Sequence, residues 1–329
     1  MPSPHLTALP ACKRWLAAAT LALGASLLTG CNLTKQPDGE IQGLAGAAIA
    51  AERWASGLSR GEVDIEGFKV PYLKGGQGEP LILIHGFGGS KDNFNRVAKH
   101  LVKHYTVYAI DVPGFGASTR QPDASYLIDV QARRLHDVAS KLGLKQVNLG
   151  GNSMGGWIAG SYAAQFPADV KSVWFLAPGG TVASRKSEVI QEFERSGKVV
   201  LAASNREEFQ RVMDLVMFER PAFAPGFIVN ALADRAIADK PLNDRIYGDF
   251  RKLTTSLPQT MQRSGYKGPA LIVWGKNDRV LHPDGAAELH AAMADSDVIL
   301  LDKVGHIPMM EKPAEVAADY VAWRQRRGL

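Results

Sequence analysis

A serine, an aspartate and a histidine each stand just past the end of an apolar run in this 329-residue sequence. Ser153 lies in Gly151-Asn152-Ser153-Met154-Gly155, between a run ending at Leu149 and a helical pattern starting near Trp157. Glycines on both sides of a serine suit a strained strand-to-helix turn, across which a side chain at 151 or 155 would collide. The serine Oγ then projects clear of the backbone, and the helix start brings N–H groups and a positive dipole end near a developing oxyanion. Asp278 follows the run at 270–274 within Gly275-Lys276-Asn277-Asp278, and His306 follows the run at 298–301. A histidine can take the serine proton and return it to a leaving group, while a carboxylate fixes its tautomer and stabilises the imidazolium. The chemistry such a set performs is acyl transfer through a covalent serine intermediate. Gly-x-Ser-x-Gly alone is a weak signal; its place between a buried strand and a helix gives it weight.

Positioning three such groups at one edge requires a sheet. The uninterrupted apolar run at 81–84 reads as a strand buried on both faces, and 106–110, 146–149, 172–176, 270–274 and 298–301 read the same way. Helical patterns at 93–103, 126–142, 157–165, 283–294 and 313–326 alternate with them. Residues 63–73 read as an edge hairpin closed by Lys74-Gly75-Gly76-Gln77-Gly78. The fold class is α/β, a mostly parallel doubly wound sheet. Between 179 and 268 no strand is predicted, only amphipathic helices at 186–200 and 205–218, punctuated by Pro221 and Pro225. This reads as a helical cap (181–265) inserted between two strands of a core formed by 61–180 and 266–329. It would cover the strands' C-terminal ends, where open α/β sheets bind ligands. The cap's apolar residues, Phe193, Phe209, Val212, Met213, Leu215, Val216, Met217, Phe218, Phe223 and Phe227, read mainly as its own core. Met213 and Met217 are the candidates for substrate contact there.

Further motifs extend the pattern: His85-Gly86-Phe87-Gly88-Gly89 with Lys91-Asp92, Asp111-Val112-Pro113-Gly114-Phe115-Gly116, Pro178-Gly179, and Gly305-His306 followed by Met310-Glu311-Lys312-Pro313. With 151–156 and 274–278, these make residues 79–317 resemble the α/β-hydrolase family, most closely its monoacylglycerol lipase branch and bacterial lipase relatives. The resemblance implies an α/β-hydrolase fold with a helical cap and hydrolysis of carboxylic esters bearing a lipid-like acyl chain. It also implies that the backbone N–H groups of Phe87 and Met154 form the oxyanion hole, both residues touching substrate, and that His85 is structural. Serine, aspartate and histidine occur in the chain order of this fold. Asp302 is expected to be a solvated loop residue, His282 to cap the next helix or rim the pocket, and Asp111 to satisfy backbone donors. After Leu176 the chain reads Ala177-Pro178-Gly179-Gly180 and offers no carboxylate. Two alternatives share these features: a carbon–carbon bond hydrolase acting on vinylogous diketones, and a non-catalytic binding protein on the same fold.

Apolar residues make up 46% and charged residues 22%, as in a globular enzyme. The formal charge of +5 includes Lys13 and Arg14 of a leader, and the remaining excess is too dispersed to suggest nucleic acid. Arg324-Gln325-Arg326-Arg327 reads as the solvated end of a last helix. Lys13-Arg14 precede an apolar stretch at 15–28 that ends in Leu28-Thr29-Gly30-Cys31. The stretch has signal-peptide length, and its end resembles a bacterial lipobox. Residues 1–30 are therefore expected to be a lipoprotein signal peptide, with Cys31 lipidated as the membrane anchor. By the same resemblance Asn32 favours the periplasmic face of the outer membrane. Cys12 and Cys31 are the two cysteines, so cleavage leaves one and no internal disulfide. Residues 31–60 read as a tether with a short helix at 41–54. No metal-ligand spacing, dinucleotide fingerprint or P-loop is present, so neither a metal nor a cofactor is expected.

Overall fold

The predicted apolar runs become strands of one eight-stranded sheet, but the run at 298–301 lies at its edge, where only one face is covered and Val298 and Leu300 are exposed, rather than being buried on both faces. The computed structural model describes residues 37–182, 185–220, 225–250 and 252–329. The strands are β1 (Ser59–Ile65), β2 (Phe68–Gly75), β3 (Glu79–Ile84), β4 (Tyr105–Ile110), β5 (Val147–Asn152), β6 (Val170–Leu176), β7 (Ala270–Gly275) and β8 (Ser296–Leu301). Their order is β1-β2-β4-β3-β5-β6-β7-β8. β2 runs antiparallel to both β1 and β4, and every other pairing is parallel. Every residue of β5 and β7 is buried, which explains why these runs show no alternation.

The edge hairpin turns at Glu66 (φ 47°) and Gly67 (φ 78°), rather than at the later glycines. Two consecutive left-handed residues match the twist of the flanking strands. Gly76 and Gly78 instead carry the chain from β2 into β3.

Helices cover both faces: α1 (Gly43–Ala55), α2 (Asn95–Leu101), α3 (Ile128–Lys141), α4 (Met154–Gln165), α5 (Glu188–Ser196), α6 (Arg206–Val216), α7 (Gly226–Phe250), α8 (Leu257–Arg263), α9 (Gly285–Ala292), α10 (Pro308–Glu311) and α11 (Pro313–Arg326). One core packs α3, α4, α8 and α9 against the sheet, around Ile84, Leu149, Phe175 and Ile272. The opposite core packs α2 and α11, around Leu83, Trp174, Tyr320 and Trp323. Fully burying a Leu, Ile or Phe side chain contributes about 1.5–3 kcal/mol, so these two layers dominate stability. Among the described residues no helix is long and apolar enough to cross a membrane.

Four helices, α5 to α8, lie between β6 and β7. The 25-residue α7, with Pro241 inside it, has no counterpart in the sequence reading. An interior proline argues against a helix, and the side chains show no strong apolar stripe. α8 belongs to the core, since Leu257 and Met261 are buried against the sheet layer. The cap is therefore α5, α6 and α7.

Two other expectations change. Residues 37–60 pack onto the core instead of forming a tether. Arg53 at the end of α1 binds Glu40 and Asp92, each at 2.6 Å, and Lys91 binds Glu40 and Asp111, each at 2.8 Å. Burial alone would raise the Glu40 carboxyl, but Lys91 and Arg53 bring it down to about 2. Burial alone would lower the Lys91 ammonium, but Asp111, Asp92 and Glu40 hold it above its ordinary value. Arg324 is not solvated either: it is buried, and its guanidinium binds Asn148, Ser172 and Glu79 beneath the sheet. The run's last arginine, Arg327, pairs with Asp295 and Asp297.

Candidate active site

Ser153 sits between β5 and α4 with φ 54° and ψ −121°, a conformation that a residue with a side chain adopts only under strain. The turn is held on all sides. Ser153 N–H donates to Leu176 O, and Ser153 O accepts from Gly156, Trp157 and Gly179 N–H. A Cβ on Gly151 would lie 2.2 Å from Gly155 O, and one on Gly155 would lie 2.1 Å from Ile84 O on β3. Both glycines are required by close backbone approach, as the spacing predicts.

Asp278 and His306 follow the ends of β7 and β8 and meet. His306 Nδ1–H donates to Asp278 Oδ2 at 2.8 Å, and both residues are buried. Oδ2 also accepts from Trp274 Nε1 at 2.9 Å, while Oδ1 accepts from Val280 and Leu281 N–H at 2.8 and 3.0 Å. Four donors around one carboxyl fix its plane. His306 Nε2 is buried and has no hydrogen-bond partner among the described residues. His306, Ser153 and Asn152 line the same cavity.

The loop after β3 reaches the elbow from the other side. A Cβ on Gly86 would lie 3.0 Å from Ser153 Cβ. Phe87, Ser153 and Met154 line a second cavity. Among the described residues neither Phe87 nor Met154 N–H donates to a backbone carbonyl. The Phe87 ring meets Phe115, Tyr247 and Phe250 edge-on at 5.7–6.0 Å, which joins the loop to α7 of the cap.

The other titratable groups have structural duties. His85 is fully buried; Nδ1–H donates to Gly86 O at 2.7 Å and Nε2 accepts from Val112 N–H at 3.0 Å. Burial pushes its pKa down, so the ring is neutral with both nitrogens engaged. Asp111 accepts from Lys91 and Ala117 N–H as well as from Lys91 Nζ. Asp302 is exposed and pairs with Lys276. His282 Nδ1 accepts from Asp284 N–H at the start of α9. Among the described residues no group of His, Cys, Asp and Glu side chains could hold a metal ion. Cys31 lies outside the described residues.

Met213 and Met217 both line the cavity that contains His306, with Val212 and Val216. Leu215 packs instead against Val189 and Val280, while Phe209 both packs against Ala203 and Ala233 and lines the cavity. The cap stripe therefore divides between its own core and the cavity. Phe218 and Phe227 are exposed, and Phe223 lies outside the described residues.

Three positioning groups escaped the sequence reading. Asn152 Nδ2 donates to both Leu176 O and His306 O at 2.9 Å, which ties the histidine loop to the elbow. Trp274 holds Asp278 as described. Glu311 accepts from Gly305 N–H at 3.0 and 3.1 Å and from Phe218 N–H at 2.6 Å, while His306 N–H donates to Val216 O at 2.8 Å. The end of cap helix α6 is thus fastened directly to the histidine loop. Burial raises the Glu311 pKa, with the backbone N–H groups opposing. Asn152 occupies the unspecified position of Gly-x-Ser-x-Gly, and Trp274 reads only as the end of a strand. Glu311 gave a signal, its place after Gly305-His306, but no role.

Comparison with known proteins agrees with this geometry. Residues 79–313 match the family described as alpha/beta hydrolase fold. Lipase 1 of Psychrobacter immobilis is 35% identical over 263 residues, spanning 78% of this chain and 81% of the relative. Monoacylglycerol lipase ABHD6 of Homo sapiens is 33% identical over 247 residues, 72% of each chain. The crystal structure of a membrane phospholipase A, described as a bacterial virulence factor, superposes with a TM-score of 0.83 at 33% identity. It covers 95% of this chain and 98% of that one. This chain belongs to the α/β-hydrolase family and is an ester hydrolase similar to its lipases.

Proposed function

We propose that the protein hydrolyses carboxylic esters of lipid-like acids through an acyl-Ser153 intermediate, with His306 as general base and acid and Asp278 orienting it. The carrying observation is the buried His306–Asp278 hydrogen bond of 2.8 Å, which leaves His306 Nε2 unpartnered in the cavity wall beside Ser153. Nε2 accepts the serine proton as Oγ attacks the carbonyl carbon, and Asp278 stabilises the imidazolium. The backbone N–H groups of Phe87 and Met154 bind the oxyanion; each such donor is worth about 10²–10³ in kcat. Cavity walls rich in apolar side chains support a lipid-like ester, and monoacylglycerols and short- or medium-chain esters are the first substrates to profile. The test is hydrolysis of nitrophenyl esters of graded length and of monoacylglycerols by wild type and Ser153→Ala. Activity surviving in Ser153→Ala would refute the assignment. Turnover of vinylogous diketones with no ester cleavage would favour the carbon–carbon hydrolase.

We also propose that Cys31 carries lipid and holds the enzyme on the periplasmic face of the outer membrane. The support is the sequence Leu28-Thr29-Gly30-Cys31-Asn32 after an apolar leader. Each buried CH₂ of an attached chain contributes about 0.8 kcal/mol to anchoring. Cys31→Ser should release or misprocess the protein, and an unmodified Cys31 thiol in native protein, seen by mass spectrometry, would refute the anchor.

A further inference from the structure

Two cavities meet at Ser153. Phe87, Ser153 and Leu201 line both, but His306 lines only one and Met154 only the other. The His306 cavity is walled by Met213, Val216, Met217, Met309 and Met310, with Arg235 and Asp239 also in its lining. The Met154 cavity is walled by Trp157, Ile190, Tyr247, Phe250 and Leu281. Helix α7 serves both, through Leu232, Ala236 and Asn243 in the first and Tyr247 and Phe250 in the second. From Ala236 to Phe250 it advances about 21 Å, so a substrate with groups on both sides of its ester would lie beneath one helix.

The reaction assigns the two sides. Ser153 Oγ attacks the carbonyl carbon and its proton passes to His306 Nε2. When the tetrahedral intermediate collapses, the bond from carbon to the alkoxy oxygen breaks and Nε2 returns that proton to the alkoxy oxygen. The alcohol leaves and acyl-Ser153 remains. Water then attacks the acyl carbon, giving a proton to Nε2; the carbon–Oγ bond breaks, Oγ regains the proton and the carboxylic acid departs. Proton return requires the alkoxy oxygen to lie about 2.6–3.2 Å from Nε2, so the alcohol is bound on the side that His306 lines.

We infer that the His306-lined cavity receives the alcohol portion of the ester and the Met154-lined cavity the acyl chain, so that the preferred substrate is a lipid ester whose alcohol itself carries an apolar chain. The inference rests on the triad proposed above. A small polar alcohol such as glycerol leaves the methionine wall uncovered, whereas a second chain fills it. Methionine is the side chain best able to repack around chains of varied length. Diacylglycerols, diacyl phospholipids and wax esters share this chemistry.

The experiment uses two ester series on the full chain: octanoates of alcohols from methyl to octyl, and methyl esters of acids of increasing length. kcat/KM should climb along the alcohol series, by up to about fourfold per methylene where burial is complete. Met213→Trp should shorten the alcohol optimum and leave the acyl optimum in place; Leu253→Trp, at a residue that lines the Met154 cavity, should do the reverse. If either tryptophan variant fails to fold, phenylalanine at the same position gives the same reading. Diacylglycerol, diacyl phosphatidylcholine and a wax ester in mixed micelles then separate the sources, and the fastest identifies the alcohol. A flat alcohol series, a Met213→Trp variant with a shortened acyl optimum, or monoacylglycerol outrunning all three overturns the inference while the hydrolase reading stands. No hydrolysis in either series, with Ser153 unlabelled by a fluorophosphonate, overturns both.

Discussion

Replacing Asp278 with asparagine changes one oxygen into an NH₂ while every partner of the carboxyl is a donor. The amide has two orientations. With NH₂ in the Oδ1 position it confronts two backbone N–H groups, of Val280 and Leu281, and loses both bonds. With NH₂ in the Oδ2 position it loses the Trp274 bond, but His306 can adapt by presenting an unprotonated Nδ1. A buried donor left unsatisfied costs about 1–3 kcal/mol, so the second orientation wins. Its consequence is chemical: the imidazole proton moves to Nε2, which can no longer accept the serine proton. The same exchange in a serine protease triad lowers kcat about 10⁴-fold with the geometry intact, and a similar loss is expected here. Stability should fall by about 0.5–1.5 kcal/mol, the net worth of one hydrogen bond, because Trp274 Nε1 keeps Leu281 O as an acceptor. The assay is kcat on a short nitrophenyl ester, with nitrogen NMR of the histidine ring to read its tautomer. Activity within tenfold of wild type, or a ring still protonated on Nδ1, would refute the reasoning. Loss in Asp302→Asn with Asp278→Asn active would move the acid to Asp302.

Glu311→Gln keeps the shape but turns one accepting oxygen into an NH₂ that faces the Gly305 N–H, leaving one oxygen to be shared by Gly305 and Phe218, so the cap and the histidine loop should loosen together. kcat should drop about tenfold with a changed chain-length profile; a lower Tm with kcat and profile unchanged would make Glu311 merely structural. The Glu40 carboxyl ordinarily titrates near 4.5 and is held at about 2 in the fold. A depressed acid contributes stability that is fully present above its unfolded pKa and lost as pH falls toward the folded value. Tm should therefore decline between pH 4.5 and 2, less steeply in Glu40→Gln; parallel curves would contradict the ion cluster. Gly155→Ala places a methyl 2.1 Å from Ile84 O and should abolish soluble folded protein or activity; a stable, active variant would mean the elbow is wrongly drawn.

What the sequence revealed follows from short-range physics. Buried parallel strands leave unbroken apolar runs, and the elbow needs glycines at 151 and 155 because backbones approach there. Ser153, Asp278 and His306 also each lie within six residues of a strand end, so the sheet alone brings them to one edge. The rest depends on long-range partners. Glu40 and Lys91 join through the fold across fifty positions, and nothing local distinguishes their charges from solvated ones. Arg324 looks like part of a basic tail until Asn148, Ser172 and Glu79 surround it. Helix α7 hides because Pro241 removes one backbone bond in a segment that has no strong apolar stripe. Asn152 and Glu311 act through backbone groups of the histidine loop, so their value appears only once that loop has a position.

Acylation of Ser153 during turnover tests the account most directly. The enzyme is mixed with a nitrophenyl octanoate, quenched in acid within the first turnovers, digested, and its peptides weighed. The account predicts one octanoyl group on the peptide containing Ser153, formed in a burst with nitrophenol release, and none in Ser153→Ala. An octanoyl group on another residue, or wild-type turnover by folded Ser153→Ala, would contradict it.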